Sequence, residues 1–495
     1  MKKIKILYAV LLSIALLFTG CTKDWLDVND DPNKTTVATP ELTFPSGVMA
    51  LAANVGGYYN LIGGFWSQYW SQSNSANQYK FLDQYQVQSG DFNTEWREMY
   101  AASLSDLNYT IVEAEKLGNN SYLLMATVMQ VYGYQLMVDL YGDVPYFDAL
   151  QGDADVQNFN PAFDDGQAVY DDLMARLDAA LALVPTQLTE AQENADLIFG
   201  GDMDEWVKLG NTLKLKMYMR QMYVRPSLAQ TGIEALYNSG AEFIAQDAAI
   251  TSYINQEYKD NPLYASNVRK LNVGTNLRVS ATLFRYLEGN SDPRIDHYVG
   301  SGTNPMPQGG FNIPTPQLDP TTVCVFAQSA TDPVYFISEI ESYLLQAEAI
   351  AAGWGTGDDK ALYDAAITAS FARYGEGASS FIAAGGAYEY PTAGTFEQKQ
   401  EAIMMAKWVA FAGSQSIEMF FETNRTHYPT VSNVPSWAAG AYNDSYVGGQ
   451  LTYSLEGLTG GDFPNRLIYP QDEVNLNTNF PGQTKVTDKI WWDTK

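Results

Sequence analysis

The feature that most constrains the fold is the return of apolar residues at every third or fourth position along much of the chain. In the segment 91–118 these positions lie on one helical face, at Trp96, Met99, Tyr100, Leu104, Leu107, Ile111 and Ala114. The segment 121–140 follows a short turn and carries no charge until its penultimate residue. We predict that it forms a helix buried on most sides, paired with the preceding helix. Its length would also allow a membrane span, but Gln130 and Gln135 within it favour the buried helix.

The same periodicity predicts a series of further helices. They cover 46–57, 167–184, 203–223, 339–352, 360–374 and 397–411. Helix pairs joined by short turns indicate a mainly α fold of stacked helical hairpins like tetratricopeptide units, although no strict 34-residue period is visible. A few short strands are also expected.

Two segments interrupt the helical pattern, 260–333 and 430–495, both rich in Gly, Pro, Asn, Ser and Thr. Connections of this length in a compact chain are usually functional loops, and we expect them to cover a rigid helical frame. The sequence therefore predicts a single domain over 41–495. Its helical scaffold covers about 41–224 and 336–425, and its loop-rich regions cover about 225–335 and 426–495.

The N-terminal segment combines three early lysines, an apolar run and a cysteine. The run from Ile6 to Phe18 is too short to span a bilayer, so 1–20 is predicted to be a cleaved signal peptide. The small residues before Cys21 resemble a bacterial lipoprotein signal, which predicts lipidation of Cys21 and a tether over 21–40. The alternative is an ordinary signal peptide with a chance cysteine.

Composition argues against several classes of function. The chain has 57 acidic and 29 basic residues and a formal charge of -28, which argues against a nucleic-acid partner. Only two histidines occur, His297 and His427. A metal site with three histidines is therefore impossible, and a Ser-His-Asp catalytic triad is not expected. Cys324 has no partner if Cys21 is lipidated, so no intramolecular disulfide is expected. We expect no cofactor, no metal and no catalytic residue.

Aromatic residues make up 13% of the chain, and the segment 56–79 interleaves them with Gly, Ser, Asn and Gln without charge. Such a mixture can stack on sugar faces while its amides bond hydroxyl groups. The alternative is that Trp66 and Trp70, four residues apart, form one apolar helical stripe that packs in the core.

A series of short motifs occurs in a fixed order along nearly the whole chain. They are Cys21 with Trp25-Leu26-Asp27, Tyr141-Gly142-Asp143-Val144-Pro145-Tyr146, Tyr170-Asp171-Asp172-Leu173, the run 201–216, Asp292-Pro293-Arg294, Ala347-Glu348-Ala349, Lys407-Trp408, Asn424-Arg425-Thr426 and 466–473. Together they resemble the SusD/RagB-type outer-membrane lipoproteins of the Bacteroidetes. Each fragment alone is weak, but their joint order is specific.

The resemblance implies a substrate-capturing lipoprotein at the cell surface, anchored in the outer membrane by its lipid. Such proteins form a lid on a SusC-like TonB-dependent transporter, and the pair imports oligosaccharides or, in some relatives, peptides. Ligands in relatives tend to meet aromatic residues on variable loops. By this analogy the predicted ligand contacts are Trp66, Tyr69, Trp70, Tyr79, Tyr298 and Phe311.

The motifs themselves are expected to belong to the scaffold. Trp206 and Leu213 should lie in the core. The lysines of the same helix are expected to extend along its surface, namely Lys208, Lys214 and Lys216. We expect Arg294 to pair with a carboxylate such as Glu348. Arg466 and Glu473 are likewise expected to brace the final loops.

Two other classes of function remain open at this point. An anchored glycoside hydrolase would need two carboxylates roughly 5 to 10 Å apart across a cleft. The acidic pairs 164–165 and 171–172 adjoin helices, where adjacent side chains point apart and a solvated face is the ordinary explanation. The third class is a structural surface lipoprotein without a ligand.

Overall fold

The computed structural model describes residues 38–152 and 157–495. The predicted signal peptide, Cys21 and most of the tether lie outside the described residues. Residues Pro40–Lys495 pack into one unit.

Helices dominate the described residues, as the sequence predicts. They are α1 (Pro40–Asn54), α2 (Asn60–Trp66), α3 (Lys80–Asp83), α4 (Asn93–Glu98), α5 (Ser105–Leu117), α6 (Asn120–Tyr141), α7 (Gly166–Leu181), α8 (Glu190–Ala195), α9 (Met203–Arg220), α10 (Pro226–Asn238), α11 (Pro262–Tyr264), α12 (Ala281–Gly289), α13 (Ile295–Tyr298), α14 (Glu339–Ala351), α15 (Asp359–Ala372), α16 (Ser379–Ile382), α17 (Phe396–Phe411), α18 (Ser416–Thr426) and α19 (Gln471–Leu476). Helices α5, α6 and α7 pack in succession, and α14 packs on α15 and α17. The predicted mainly α scaffold of helical hairpins is confirmed.

The local signals for helix ends act as expected. Gly118 takes a left-handed conformation after α5, with φ of 65°, and Asn119 caps α6 by accepting a hydrogen bond from the N–H of Tyr122. The first helix differs from its prediction, because it begins at Pro40 and contains Pro45 rather than starting after both prolines. Pro40 fits the first helical turn, where no N–H is needed.

Helix α6 is buried along nearly its whole length, from Ser121 to Tyr141. This agrees with its predicted place inside the scaffold. In the part of the chain that the structure describes, no helix has the length and hydropathy required to cross a membrane.

The strands are short, as predicted, and all pair antiparallel. They are β1 (Trp70–Gln72), β2 (Ala248–Ile250), β3 (Leu277–Val279), β4 (Val299–Ser301), β5 (Val325–Phe326), β6 (Val334–Ile337), β7 (Trp437–Ala438) and β8 (Ala441–Tyr442). The largest sheet has the order β1-β3-β5-β4, and the other two pairs are β2-β6 and β7-β8. The largest sheet therefore joins the loop-rich region 260–333 to the aromatic segment that contains β1.

Buried charges meet where α6, α9, α14, α17 and α18 come together. This central charge cluster contains four cations and five carboxylates, namely Lys216, Arg220, Lys407, Arg425, Asp139, Glu341, Glu348, Glu418 and Glu422. Burial opposes ionisation of Glu422, but Arg425, Lys407 and Arg220 outweigh it and hold the pKa of Glu422 well below its usual range. Several of the sequence motifs thus meet in one buried network.

The central charge cluster corrects two expectations about the motifs. Lys216 does not extend along the helix surface, because its ammonium is buried between Glu341 at 3.1 Å and Glu418 at 2.8 Å. Arg294 pairs with Asp292 at 2.6 Å, while Glu348 bonds Arg425 at 2.8 Å. Trp206 and Leu213 lie in the core as predicted.

Asp83 is a fully buried carboxyl group that connects the aromatic segment to the loop-rich region. Its Oδ2 accepts hydrogen bonds from the Ser71 hydroxyl and the Gln72 backbone N–H, both at 2.7 Å. Its Oδ1 accepts a bond of 2.6 Å from the Gln308 amide. Burial outweighs these bonds and raises the pKa of Asp83 to about 7.

This raised pKa predicts a pH-dependent loss of stability. The unfolded chain releases the Asp83 proton near its ordinary pKa of about 4, whereas the folded protein holds it up to about 7. The folded state therefore loses up to roughly 4 kcal/mol from this group as the pH rises across that window. Urea unfolding of wild type and Asp83→Asn at pH 4, 5.5 and 7 measures it, because Asn cannot ionise. A stability difference that stays constant over this range would mean that Asp83 is ionised throughout.

Candidate functional site

The six aromatic residues predicted to contact a ligand are all buried, with exposed fractions between 0% and 8%. Tyr69 donates its hydroxyl to the Trp408 carbonyl at 2.6 Å, and Trp70 donates its indole N–H to the Leu61 carbonyl at 3.2 Å. Both rings have an exposed fraction of 0%. The structure therefore places Tyr69 and Trp70 in the core. The alternative of a helical stripe formed by Trp66 and Trp70 is wrong, because Trp66 ends α2 and Trp70 begins β1.

The other four residues do not come together in one site. Trp66 and Tyr298 each reach the wall of a cavity of about 430 Å³, but these are two different cavities. Phe311 lies beneath Lys80, whose ammonium is 4.9 Å from the ring centroid. Tyr79 packs on Phe65 at 5.9 Å. Ligand contact at these four residues stays a prediction.

The most spacious of the described cavities is a cleft of about 830 Å³ on the helical scaffold. One wall is formed by α4, the π-helical turn Met99–Leu104 and α5. The rest of the lining comes from residues of 145–152, from Pro161 and from the start of α19. We call this cavity the Trp96 cleft.

Three aromatic side chains line the Trp96 cleft, one each from α4, the π-helical turn and α5. They are Trp96, Tyr100 and Tyr109. Trp96 is buried and fixed, with its ring 5.0 Å from that of Tyr100 and 4.9 Å from that of Tyr141. Tyr100 and Tyr109 are only partly buried. Their rings therefore offer an apolar surface that a ligand can reach.

Hydrogen bonds join α19 to the first wall across a long stretch of sequence. The Trp96 indole N–H donates to Glu473 Oε1 at 3.0 Å. The Asn93 amide donates to Asp472 Oδ1 at 3.2 Å, and the Asp472 backbone N–H donates back to Asn93 Oδ1 at 3.1 Å. For Glu473, the bond from Trp96 agrees with its expected role in bracing the final loops.

Polar groups in the Trp96 cleft suit a ligand that both donates and accepts hydrogen bonds. Asn108 lines the cleft, and its side-chain amide forms no hydrogen bond within the described residues. Burial holds the pKa of Tyr100 well above its ordinary value, so its hydroxyl stays protonated and donates to the Pro145 carbonyl at 2.8 Å. The lining also includes charged residues of both signs, namely Arg97, Lys116, Glu113, Asp472 and Glu473. Partly exposed rings beside groups that donate and accept hydrogen bonds match a polyhydroxylated ring.

No cluster suited to a metal ion occurs in residues 38–152 and 157–495. Glu473 accepts hydrogen bonds at both oxygens, from Trp96 and from Asn477 at 3.0 Å. This carboxylate is therefore held in place by protein donors.

Sequence reasoning missed the Trp96 cleft as a site. The apolar period places Trp96 and Tyr100 on one face of a long helix; Trp96 is buried, whereas Tyr100 is only partly buried. The hydrogen bond from Trp96 to Glu473 of α19 joins residues that are 377 positions apart, so the local sequence pattern does not predict the cleft.

A family model described as starch-binding and associating with the outer membrane matches residues 32–453. No curated protein matches the chain. Several solved structures share the fold at low sequence identity. A SusD homologue from Bacteroides uniformis is 20% identical with a TM-score of 0.71, covering 92% of this chain and 100% of its own.

Two further solved structures agree with this fold. A SusD/RagB family protein from Bacteroides thetaiotaomicron is 18% identical with a TM-score of 0.72, covering 92% of this chain and 99% of its own. A chitin-binding SusD homologue from Flavobacterium johnsoniae is 20% identical with a TM-score of 0.69, covering 90% of this chain and 98% of its own.

Proposed function

The chain belongs to the SusD-like family, and from this premise we propose that it captures oligosaccharides at the outer membrane for import. The observation that carries the proposal is the family match, which extends over residues 32–453. The chitin-binding relative of the same fold supports a glycan rather than a peptide as ligand. We propose further that Cys21 carries the lipid anchor, that the protein is displayed at the cell surface, and that it passes its ligand to a SusC-like TonB-dependent transporter.

The Trp96 cleft is the proposed glycan site. Its volume of about 830 Å³ is in the range of ligand pockets, roughly 300 to 1,000 Å³. Tyr100 and Tyr109 supply ring faces, and Asn108 supplies an amide. Sugar rings have apolar C–H faces and a rim of hydroxyl groups, so a wall of rings with one amide between them suits both parts.

The proposal is for binding rather than catalysis. Glycosidic hydrolysis needs a carboxylic acid and a second carboxylate positioned on either side of the bond. In the Trp96 cleft Glu473 accepts hydrogen bonds from Trp96 and Asn477, and Asp472 accepts one from Asn93. The third carboxylate of the lining, Glu113, pairs with Lys116 at 2.7 Å. These contacts favour a structural role for the carboxylates of the cleft over a catalytic one.

The Tyr109→Ala variant is expected to bind the oligosaccharide about tenfold more weakly, because it removes a ring face worth about 1 to 1.5 kcal/mol. Tyr109→Phe keeps the ring and is expected to stay within about threefold of wild type. Calorimetric titration with malto-, cello- and chito-oligosaccharides measures both variants, with thermal unfolding as the check on folding. Equal affinities for wild type and a folded Tyr109→Ala would place the glycan outside the Trp96 cleft.

A further inference from the structure

A second cavity lies between the loop-rich region and the scaffold, and it shares no lining residue with the Trp96 cleft. Its volume is about 430 Å³. Four aromatic rings line it, one from α13, one from β5, one from β6 and one just after α15, namely Tyr298, Phe326, Tyr335 and Tyr374. We call this cavity the Tyr298 pocket.

The rings of the Tyr298 pocket are held in fixed positions. Tyr298 stacks on Phe326 at 6.1 Å and meets Tyr374 edge to face at 5.5 Å. The Tyr298 hydroxyl donates to the Val409 carbonyl at 2.8 Å. Gly413 lets the backbone approach closely, since it has a φ of 76° and a Cβ there would lie 2.7 Å from the Phe326 ring. The apolar walls are therefore formed in advance of any ligand.

Two hydrogen-bond donors beside the Tyr298 pocket have no partner among residues 38–152 and 157–495. Gln328 accepts a bond from Asn267 at its Oε1, but its Nε2 is buried without an acceptor. Arg373 pairs with Asp247 at 2.9 Å through Nη2, but its Nε is also buried without an acceptor. A buried donor left unpaired is costly, so both atoms point to a ligand that brings acceptor oxygens.

The charges around the Tyr298 pocket oppose a charged ligand of either sign. Asp332 lies exposed among the lining residues and would repel an anion. Arg373 would repel a cation, and its ring partner Tyr335, 4.2 Å away, is already occupied by the guanidinium. His297 at the edge of the pocket is 3.1 Å from Glu376, so these two ionisable groups are partners of each other. A neutral ligand with hydroxyl oxygens and an apolar face fits these constraints.

We infer that the Tyr298 pocket binds a single neutral sugar ring, as a second site beside the Trp96 cleft. The inference rests on the proposed function only in taking sugars as the class of ligand. One ring face packs on the aromatic wall, and ring or hydroxyl oxygens accept from Gln328 and Arg373. The protein then holds an oligosaccharide in the Trp96 cleft and a single sugar ring in the Tyr298 pocket.

The test is a titration of the full chain with monosaccharides, observed by saturation-transfer NMR. The probes are glucose, galactose, mannose, xylose and N-acetylglucosamine, with glucuronate as the anionic comparison. At least one neutral sugar is expected to bind with a Kd in the millimolar range, and glucuronate at least fivefold more weakly. Preference for glucuronate, or no binding of any neutral sugar, would overturn the inference.

Variants separate the Tyr298 pocket from the Trp96 cleft. Gln328→Glu keeps the acceptor for Asn267 but removes the free donor, and Ala327→Leu fills space in the pocket. Both are expected to weaken monosaccharide binding at least tenfold and to leave oligosaccharide binding in the Trp96 cleft unchanged. Gln256→Glu, at an exposed position, is the matched control for the added charge and should change neither.

The outcomes distinguish an error in the second site from an error in the proposed function. Monosaccharide binding that survives in a folded Ala327→Leu, or that is lost in Tyr109→Ala, would overturn the second site. Oligosaccharide binding that is retained while every monosaccharide stays unbound would overturn the second site and leave the proposed function intact.

Discussion

The Arg220→Met variant is expected to lose about 3 to 5 kcal/mol of its free energy of unfolding. The guanidinium has no exposed surface and meets Asp139 at 3.1 Å, Glu418 at 2.6 Å and Glu422 at 2.5 Å. Its removal leaves these carboxylates without a shared cation in the interior of the scaffold. Uncompensated buried charge is among the most costly single changes to a fold.

The matched control is Arg225→Met. Among the described residues Arg225 forms a single ion pair, with Asp171 at 2.7 Å, and the Asp171 side chain is 53% exposed. Ion pairs of this kind contribute at most about 1 kcal/mol, so this variant should lose far less stability. Urea unfolding monitored by circular dichroism compares the two. Equal losses for both variants would contradict a central role for the buried cluster.

The second large effect is expected at Gly63, where the Gly63→Ala variant should lose about 3 kcal/mol. Gly63 lies in α2 at a close crossing with the start of α18. A Cβ there would lie 2.3 Å from the Ile417 backbone nitrogen and 2.4 Å from the Ser416 carbonyl carbon. Backbone atoms cannot rotate away as a flexible side chain can, so the two helices must separate.

Gly289→Ala supplies the control for a glycine to alanine change in a helix. Gly289 is the last residue of α12, and an added Cβ there meets nothing within 4 Å. This variant should keep its stability or gain up to about 1 kcal/mol, because alanine restricts the unfolded chain more than glycine. If Gly63→Ala unfolds at the same urea concentration as Gly289→Ala, the close crossing of α2 and α18 does not limit stability.

Local signals were sufficient to predict most of the long helices, although α10 and α18 were not predicted. The segment 121–140 was predicted as a buried helix and is observed as Asn120–Tyr141, and 397–411 is observed as Phe396–Phe411. In such segments the apolar period and the capping residues lie within one turn of the positions they control. The start of α1 was missed because Pro40 and Pro45 were taken to exclude a helix that includes both.

Long-range pairings could not be predicted from the sequence alone. Arg220 bonds carboxylates that lie 81 and 202 residues away, and nothing in the local sequence selects Asp139 and Glu422 from the many other acids. The aromatic segment illustrates the same limit. The composition of the segment suits both a sugar site and a core. Long-range contacts decide between them, such as the packing of Tyr69 on Trp408 at 5.7 Å.

The most direct test of the proposed function is the fate of the glycan after binding. The purified protein is titrated with malto-, cello- and chito-oligosaccharides in a calorimeter, and the ligand is then recovered and sized by mass spectrometry. Our account predicts saturable binding of at least one oligosaccharide, with the ligand recovered at its original length. Shorter products would identify an anchored glycoside hydrolase instead, and absence of binding across all three series would contradict glycan capture.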